Sequence, residues 1–282
     1  IEGIPAPFPE PSFRQEFCVA PWTRILRHDL RWAMAGEVRV GDILVGFDEQ
    51  RSPNRRNWRK SVVTSVSKVT LPSYQLTLED GTEFTVSEDH TWLIKTPSGG
   101  PKICAATKDL TNSSRLMQVL EPWKIERSRE AGYLAAAFDG EGNIVQTSSQ
   151  PGGISFGQKD NEMWRETLRI MDAYGVRYAV YQYPTYLKYP MMRADIGRKH
   201  VGMSFLGRFR PVRLLAKFDA DKWGMMSPIK WIKVRDKEQI GQHELISIST
   251  TTKTYIAEGF ASHNCNDFFV GSDEAIPLEA LR

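Results

Sequence analysis

Two β-rich stretches of this chain, residues 18–121 and 227–264, are separated by residues 122–226, whose pattern is quite different. Neither stretch reads as a complete core alone. The two must therefore come together, with one module inserted into the other. In the first, Val38-Arg39-Val40 leads through Gly41-Asp42 to Ile43-Leu44-Val45, and residues 61–69 are rich in β-branched side chains. Residues 74–78 and 83–86 flank Glu79-Asp80-Gly81, a tight-turn signal that predicts a hairpin. In the second stretch, strands are predicted over 229–234, 244–249 and within 254–262.

The intervening segment opens with a helix rich in small residues over 130–139. Strands are predicted at 144–147 and 154–158, around Pro151-Gly152-Gly153. An amphipathic helix follows over 161–174, with Met163, Leu168, Ile170 and Met171 on its apolar face, Asp160 as cap and Gly175 as stop. Two more strands (176–183 and 190–196) and a helix (200–209) complete an αββαββα order.

The chain has 282 residues, 41% hydrophobic and 25% charged, which suits a globular protein and excludes general disorder. A net charge of +3 is too small to imply nucleic acid by itself. The basic run at 51–60 is a solvated loop or a DNA-facing one. Three cysteines, Cys18, Cys104 and Cys265, make no disulfide framework. Cys104 reads as a core residue. No apolar run suggests a membrane span or a signal peptide, and the missing initiator Met suggests a piece of something longer. A reducing cytoplasm is the expected location.

A few residues could rearrange peptide bonds without a cofactor. The Cys18 thiol can attack the Phe17 carbonyl and turn an amide into a thioester. A histidine, His90, can assist the departing amine. A second thiol, Cys265, can take over the acyl group. Asn264 can cyclise onto its own carbonyl, helped by His263, and cut the chain after itself.

These residues lie in three blocks that resemble those of inteins. Cys18-Val-Ala-Pro-Trp-Thr-Arg-Ile25, continuing to residues 38–45, is similar to the opening block. Gly81-Thr-Glu-Phe-Thr-Val-Ser-Glu-Asp-His90 is similar to the second block, usually Thr-x-x-His, with Ser87 in the Thr place. Thr254-Tyr-Ile-Ala-Glu-Gly-Phe-Ala-Ser-His-Asn-Cys265 is similar to the closing block. The resemblance implies a β horseshoe, the Hint fold, and autocatalytic splicing that excises 18–264 and joins Phe17 to Cys265. It implies Cys18 and Cys265 as nucleophiles and His90 as the group that polarises or protonates the first scissile amide. His263 and Asn264 would cut the downstream junction. The acid and second histidine often found upstream of the closing His-Asn are missing here, and Ser247 or Lys253 is expected in their place.

Within the insert, Leu134-Ala-Ala-Ala-Phe-Asp-Gly-Glu-Gly142 resembles the LAGLIDADG motif of homing endonucleases, and residues 205–214 are similar to a late segment of intein endonucleases. That resemblance implies an α+β nuclease-like domain acting on the intein-less host gene. Glu141 would be the catalytic acid, with Asp139 beside it to hold Mg²⁺. Residues 178–188 would lie in the DNA groove, and two copies would pair through the Ala135 and Ala136 face. Residues 13–17 joined to 265–279 resemble part of a phage terminase large subunit.

The expected layout is thus host fragments at 1–17 and 265–282, a splicing domain split into 18–121 and 227–264, and an insert at 122–226. Two rival readings share these residues. One is a DNA endonuclease with the β-rich flanks as scaffold. The other is a splicing-dead relic, which would not require Cys18, Asn264 and Cys265 all to be intact.

Overall fold

Two strands of 21 residues each carry the architecture, and no apolar alternation runs through either of them from end to end. The computed structural model describes residues 17–50, 55–95, 101–146, 152–183 and 191–263, with the side chains of 101–104 and Tyr183 excepted. The elements of the first β-rich half are β1 (Arg24–Leu26), β2 (Trp32–Met34), β3 (Ile43–Phe47), β4 (Trp58–Leu78), β5 (Glu83–Ser87), β6 (Thr91–Lys95), β7 (Pro101–Ala106) and β8 (Arg115–Gln118). The second half supplies β13 (Lys230–Thr250), β14 (Thr254–Ala257) and β15 (Phe260–His263).

Strands β4 and β13 pair antiparallel from Thr250↔Val63 to Val234↔Leu78, with irregularities at three places that let the ribbon bend. Their middle portions are largely exposed, while the start and end of β4 and the end of β13 are buried. This is why the sequence pattern shows two strands in each and the structure one. A two-stranded ribbon wet on both faces needs no apolar alternation, and the ladder of main-chain bonds continues through it. The start of β4 pairs with β3 and its end with β5, whereas the start of β13 pairs with β8. The mainly β body is one large antiparallel sheet in the order β2-β1-β14-β15-β6-β8-β13-β4-β3, with β5 and β7 attached to β4 and β6.

Both halves fill one core. Val19, Phe84, Val86, Trp92 and Leu116 pack in the same cluster as Ile232, Ile246, Ile248, Tyr255 and Phe260. The halves are also stitched directly. The Thr254 hydroxyl donates to the Phe47 carbonyl at 2.6 Å and accepts from the Phe47 N–H at 2.9 Å, across 207 residues of chain. Residues 38–40, predicted to enter a strand, instead form a turn. Gly41 takes a positive φ, and the Asp42 carboxylate accepts the Arg39 N–H at 3.0 Å.

The second unit runs α1 (Arg129–Glu141), β9 (Gly142–Val145), β10 (Gly153–Lys159), α2 (Glu162–Ala173), β11 (Ala179–Tyr183), β12 (Met191–Ile196), α3 (Lys199–Phe209) and α4 (Val212–Lys217). Its sheet has the order β11-β12-β10-β9. The α1 helix starts at Ser128, whose hydroxyl accepts the Ala131 N–H. The cap of α2 is Asn161, bonded to the Trp164 N–H at 2.9 Å, and not Asp160, which pairs with Arg165. The buried face of α2 is Trp164, Thr167, Ile170 and Met171, so Met163 and Leu168 are flank rather than centre. The two units share contacts: the His28 and Phe218 rings lie 5.3 Å apart, and the Trp123 indole donates to the Leu30 carbonyl. Among the described residues, no helix is long and apolar enough to cross a membrane.

The turn between β14 and β15 shows how tightly the last hairpin is seated. Glu258 and Gly259 both have positive φ, and a Cβ on Gly259 would sit 2.1 Å from the Leu120 carbonyl oxygen. Gly81 has the same φ of +85° but nothing within 4 Å of a Cβ. Gly259→Ala should therefore lower stability by about 1–3 kcal/mol more than Gly81→Ala does. Urea unfolding of the two variants measures that difference, and equal losses would mean the hairpin is loosely held.

Candidate active site

The Phe17–Cys18 peptide bond is buried, and main-chain pairing with both β-rich halves puts it there. Val19 bridges Ile246 of β13 on one side and Val86 of β5 on the other. The Val19 carbonyl accepts the Ile246 N–H at 2.8 Å, and the Ala20 N–H donates to Thr85 at 2.9 Å. Cys18 is fully buried and Phe17 is 7% exposed, packed with Ala20 and Leu245.

Ser87 meets the scissile amide directly. Its hydroxyl accepts the Cys18 N–H at 2.9 Å, and its own N–H donates to the Cys18 carbonyl at 3.1 Å. The chain then turns: the His90 N–H donates to the Ser87 carbonyl, and Thr107 holds the His90 carbonyl through both its N–H and its hydroxyl. This turn is the physical content of the Ser-x-x-His spacing. It brings a hydroxyl and an imidazole to the same peptide bond.

His90 is fully buried, with its ring 4.6 Å from that of Trp92 in an edge-on contact. Burial drives its pKa down to about 3, against a smaller upward pull from the main chain of Phe17. That pull has the sense of a main-chain acceptor, which puts the ring near the Phe17 carbonyl. The contact is not a well-aligned hydrogen bond, since neither ring nitrogen has a partner in bonding geometry. Such bonds are often loose before the reaction and tighten during it. At neutral pH His90 is a neutral imidazole that can polarise the Phe17 carbonyl, not an imidazolium.

His263 stands at the other end of the same region. Ser262 pairs with Trp92, so His263 and His90 flank one strand pairing, and His263 adds to the lowering of the His90 pKa. His263 is 5% exposed and meets Phe47 edge-on at 5.8 Å. Its pKa falls to about 4, first through burial and then through the charge of Arg56. Sequence reasoning missed Arg56: in a basic run read as solvated or DNA-facing, nothing marks one arginine as buried. Further along that run, Arg59 pairs with Asp48 and Lys60 with Asp219, so these cations are already engaged. Ser247 is buried on β13, whereas Lys253 is exposed in the turn before β14. Asn264, Cys265 and the Cys104 side chain lie outside the described residues.

Asp139 and Glu141, the residues expected to hold Mg²⁺, lie in the last turn of α1. Both Asp139 carboxylate oxygens accept main-chain N–H groups at the start of α4, from Val212 at 2.7 Å and Arg213 at 2.8 Å. Arg213 in return donates to the Phe138 and Gly142 carbonyls at the end of α1. Asp139 is thus a helix cap, and Glu141 is exposed at the last position of α1. Among the described residues, no three His, Cys, Asp or Glu side chains converge on one point. Ala136 is exposed and Ala135 half-buried, while Val180 and Tyr181 project from β11 into solvent.

Among solved structures, the chain is similar to inteins. A gp41-1 intein matches 88% of this chain and 98% of its own at 13% identity and a TM-score of 0.38. A DnaB intein from Synechocystis sp. PCC 6803 matches 88% and 97% at 8% identity and 0.41. A variant of the Ssp DnaB mini-intein matches 89% and 95% at 9% identity and 0.42. No family model matches the chain, and no curated protein does. At these identities and TM-scores no residue role is carried over from those structures.

The two depressed histidines give a pH signature. As pH falls below about 6.5, the unfolded chain takes up protons that the folded chain refuses until about pH 4 at His263 and about pH 3 at His90. Stability should therefore fall with pH across that window, with a slope of up to about 1.4 kcal/mol per pH unit for each histidine. Urea midpoints measured downward from pH 6.5 check this, with His90→Gln reducing the slope. A flat profile would mean that the imidazoles are solvated.

Proposed function

We propose that this chain is a self-splicing protein that excises residues 18–264 and joins Phe17 to Cys265. The observation that supports it most is the grip on one peptide bond: Ser87 accepts the Cys18 N–H while His90 lies near the Phe17 carbonyl. This buried peptide bond has a thiol on its C-terminal residue and an imidazole near its carbonyl.

In the first step Cys18 Sγ bonds to the Phe17 carbonyl carbon and the Phe17–Cys18 C–N bond breaks. The thiol proton ends on the released Cys18 amine. The neutral His90 N–H stabilises the oxyanion, and Ser87 holds the amide nitrogen in register. The excluded water protects the thioester from hydrolysis. Cys265 then accepts the acyl group from Cys18. Asn264 cyclises onto its own carbonyl, freeing the Cys265 amine, which takes the acyl group from sulfur to nitrogen. His263 is the proton carrier at that second junction.

The intact mass of freshly expressed protein tests this reading: species of 18–264 and of 1–17 joined to 265–282 are expected. Cys18→Ala should leave only cleavage after residue 264, and Asn264→Ala should let dithiothreitol release residues 1–17. Ser87→Ala should slow that release about tenfold, the worth of one buried hydrogen bond, with Ser87→Thr restoring it. His90→Ala should slow it by about 10²–10⁴-fold. An unprocessed parent chain that none of these variants alters would overturn the assignment.

A second reading concerns the inserted unit, and its αββαββ order followed by the helices α3 and α4 favours it. We infer a LAGLIDADG-like module that a single chain cannot use to cut both DNA strands. Both Asp139 oxygens accept main-chain N–H groups of α4, which would leave Glu141 as the acid to act. Incubating the excised protein with Mg²⁺ and DNA bearing the uninterrupted host sequence should give no double-strand cut while sedimentation shows a monomer. Cleavage by a proven monomer, lost in Asp139→Asn, would reverse this inference.

A further inference from the structure

Thr107 is fully buried and follows β7, where it opens a single helical turn over Thr107–Asp109. That turn docks on the one that ends at His90. The Thr107 N–H donates to the His90 carbonyl at 2.8 Å, and the Lys108 N–H donates to the Glu88 carbonyl at 2.9 Å. On the outside, Lys108 pairs with Asp89 at 2.6 Å. Main-chain bonds therefore hold the two turns together whatever side chain stands at 107. The Thr107 hydroxyl does something further. It donates to the His90 carbonyl at 3.0 Å and accepts the Trp92 indole N–H at 3.0 Å. A hydroxyl has one proton to donate, and here it goes to a carbonyl that already has a main-chain donor. Its acceptor side holds Trp92, whose ring meets the His90 imidazole edge-on at 4.6 Å. Thr107, Trp92 and His90 are all fully buried, so these bonds are made in a medium of low dielectric.

We propose that Thr107 is a positioning residue of the upstream junction, keeping the His90 imidazole in place by holding the His90 main chain and the Trp92 ring with one hydroxyl. The proposal rests on the splicing reading above. In the step it serves, Cys18 Sγ bonds to the Phe17 carbonyl carbon and the Phe17–Cys18 C–N bond breaks. The thiol proton ends on the released Cys18 amine. Thr107 takes no part in these bond changes and acts through His90. Neither ring nitrogen of His90 has a partner in bonding geometry, so packing sets where the ring lies. Trp92 is the ring packed against it. An indole free to turn about its side-chain bonds would let the imidazole swing, and the bond to Thr107 removes that freedom. The benefit falls on a reaction step sensitive to geometry, where a misplacement of about 1 Å can cost about 10²-fold in rate.

The test follows dithiothreitol release of residues 1–17 from the full chain carrying Asn264→Ala. Thr107→Val keeps the shape of the side chain and loses the hydroxyl. It should slow release about tenfold, with Thr107→Ser restoring it to within about twofold. When His90→Ala is also present, Thr107→Val should change release by less than about twofold, because the group it positions is gone. Trp92→Phe keeps a ring but loses the indole N–H. It should repeat both results, and it carries the test if Thr107→Val fails to fold. A Thr107→Val chain with a cooperative urea transition and the parent's release rate would overturn the proposal. Equal slowing with and without His90 would overturn it too, since a merely structural residue gives that result. If the Asn264→Ala parent releases nothing, the splicing reading falls, and this proposal with it.

Discussion

Val19 is gripped from both sides, by Ile246 on β13 and Val86 on β5, and the rest of the site depends on that double bridge. The strand it completes is only a residue or two long, too short to hold by its own pairing energy. It is stable because β4 joins both neighbours: β4 pairs with β5 at its end and with β13 along most of its length. The long ribbon thus sets the distance between two strands that come from opposite ends of the chain. Into that gap it places one peptide bond, with Ser87 at its nitrogen. The clamp of Thr254 on Phe47 does the corresponding work for His263, anchoring the last hairpin to β3.

The site is dry, and its charges are arranged accordingly. Both imidazoles are neutral because burial penalises the charged form more than any neighbour favours it. The permanent cation, Arg56, lies on the His263 side, while the Cys18 side has a hydroxyl and main-chain amides. In a medium of low effective dielectric this difference is large. The two histidines thus sit in different electrostatic environments, one beside a hydroxyl and main-chain amides and one bearing the charge of a guanidinium. A single solvated cleft would average them.

Much of this was legible in the sequence wherever one side chain had one clear task. The hairpin at Gly81 and the helix over 161–174 follow from spacing and turn chemistry, whereas Ser87 and His90 are marked only by the resemblance to the intein block. The exposed middles of β4 and β13 were not legible, because strand structure there is carried by main-chain bonds that leave no apolar imprint. Arg56 was hidden for the opposite reason: it sits among arginines and asparagines that belong on a surface, and its burial is decided by β3 and the segment before β13. The capping of α4 by Asp139 was not legible either, because a carboxylate near a helix end carries no mark of the helix that follows. On α2 Ile170 and Met171 were legible, but Trp164 and Thr167 were not, because Met163 and Leu168 beside them are apolar enough to claim the same face.

The double bridge on Val19 also orders events in time. Its two halves are residues 86 and 246, and a ribosome makes the first long before the second. Until β13 has emerged, the bond between Phe17 and Cys18 belongs to an ordinary extended segment with one neighbour and no enclosure. The last strand, which carries His263, arrives later still. The inserted unit between them, packed around its own Phe138, Phe156 and Phe205, lengthens that delay. Chain topology therefore acts as a clock, enclosing the Phe17–Cys18 bond only when nearly all of residues 17–263 have been made.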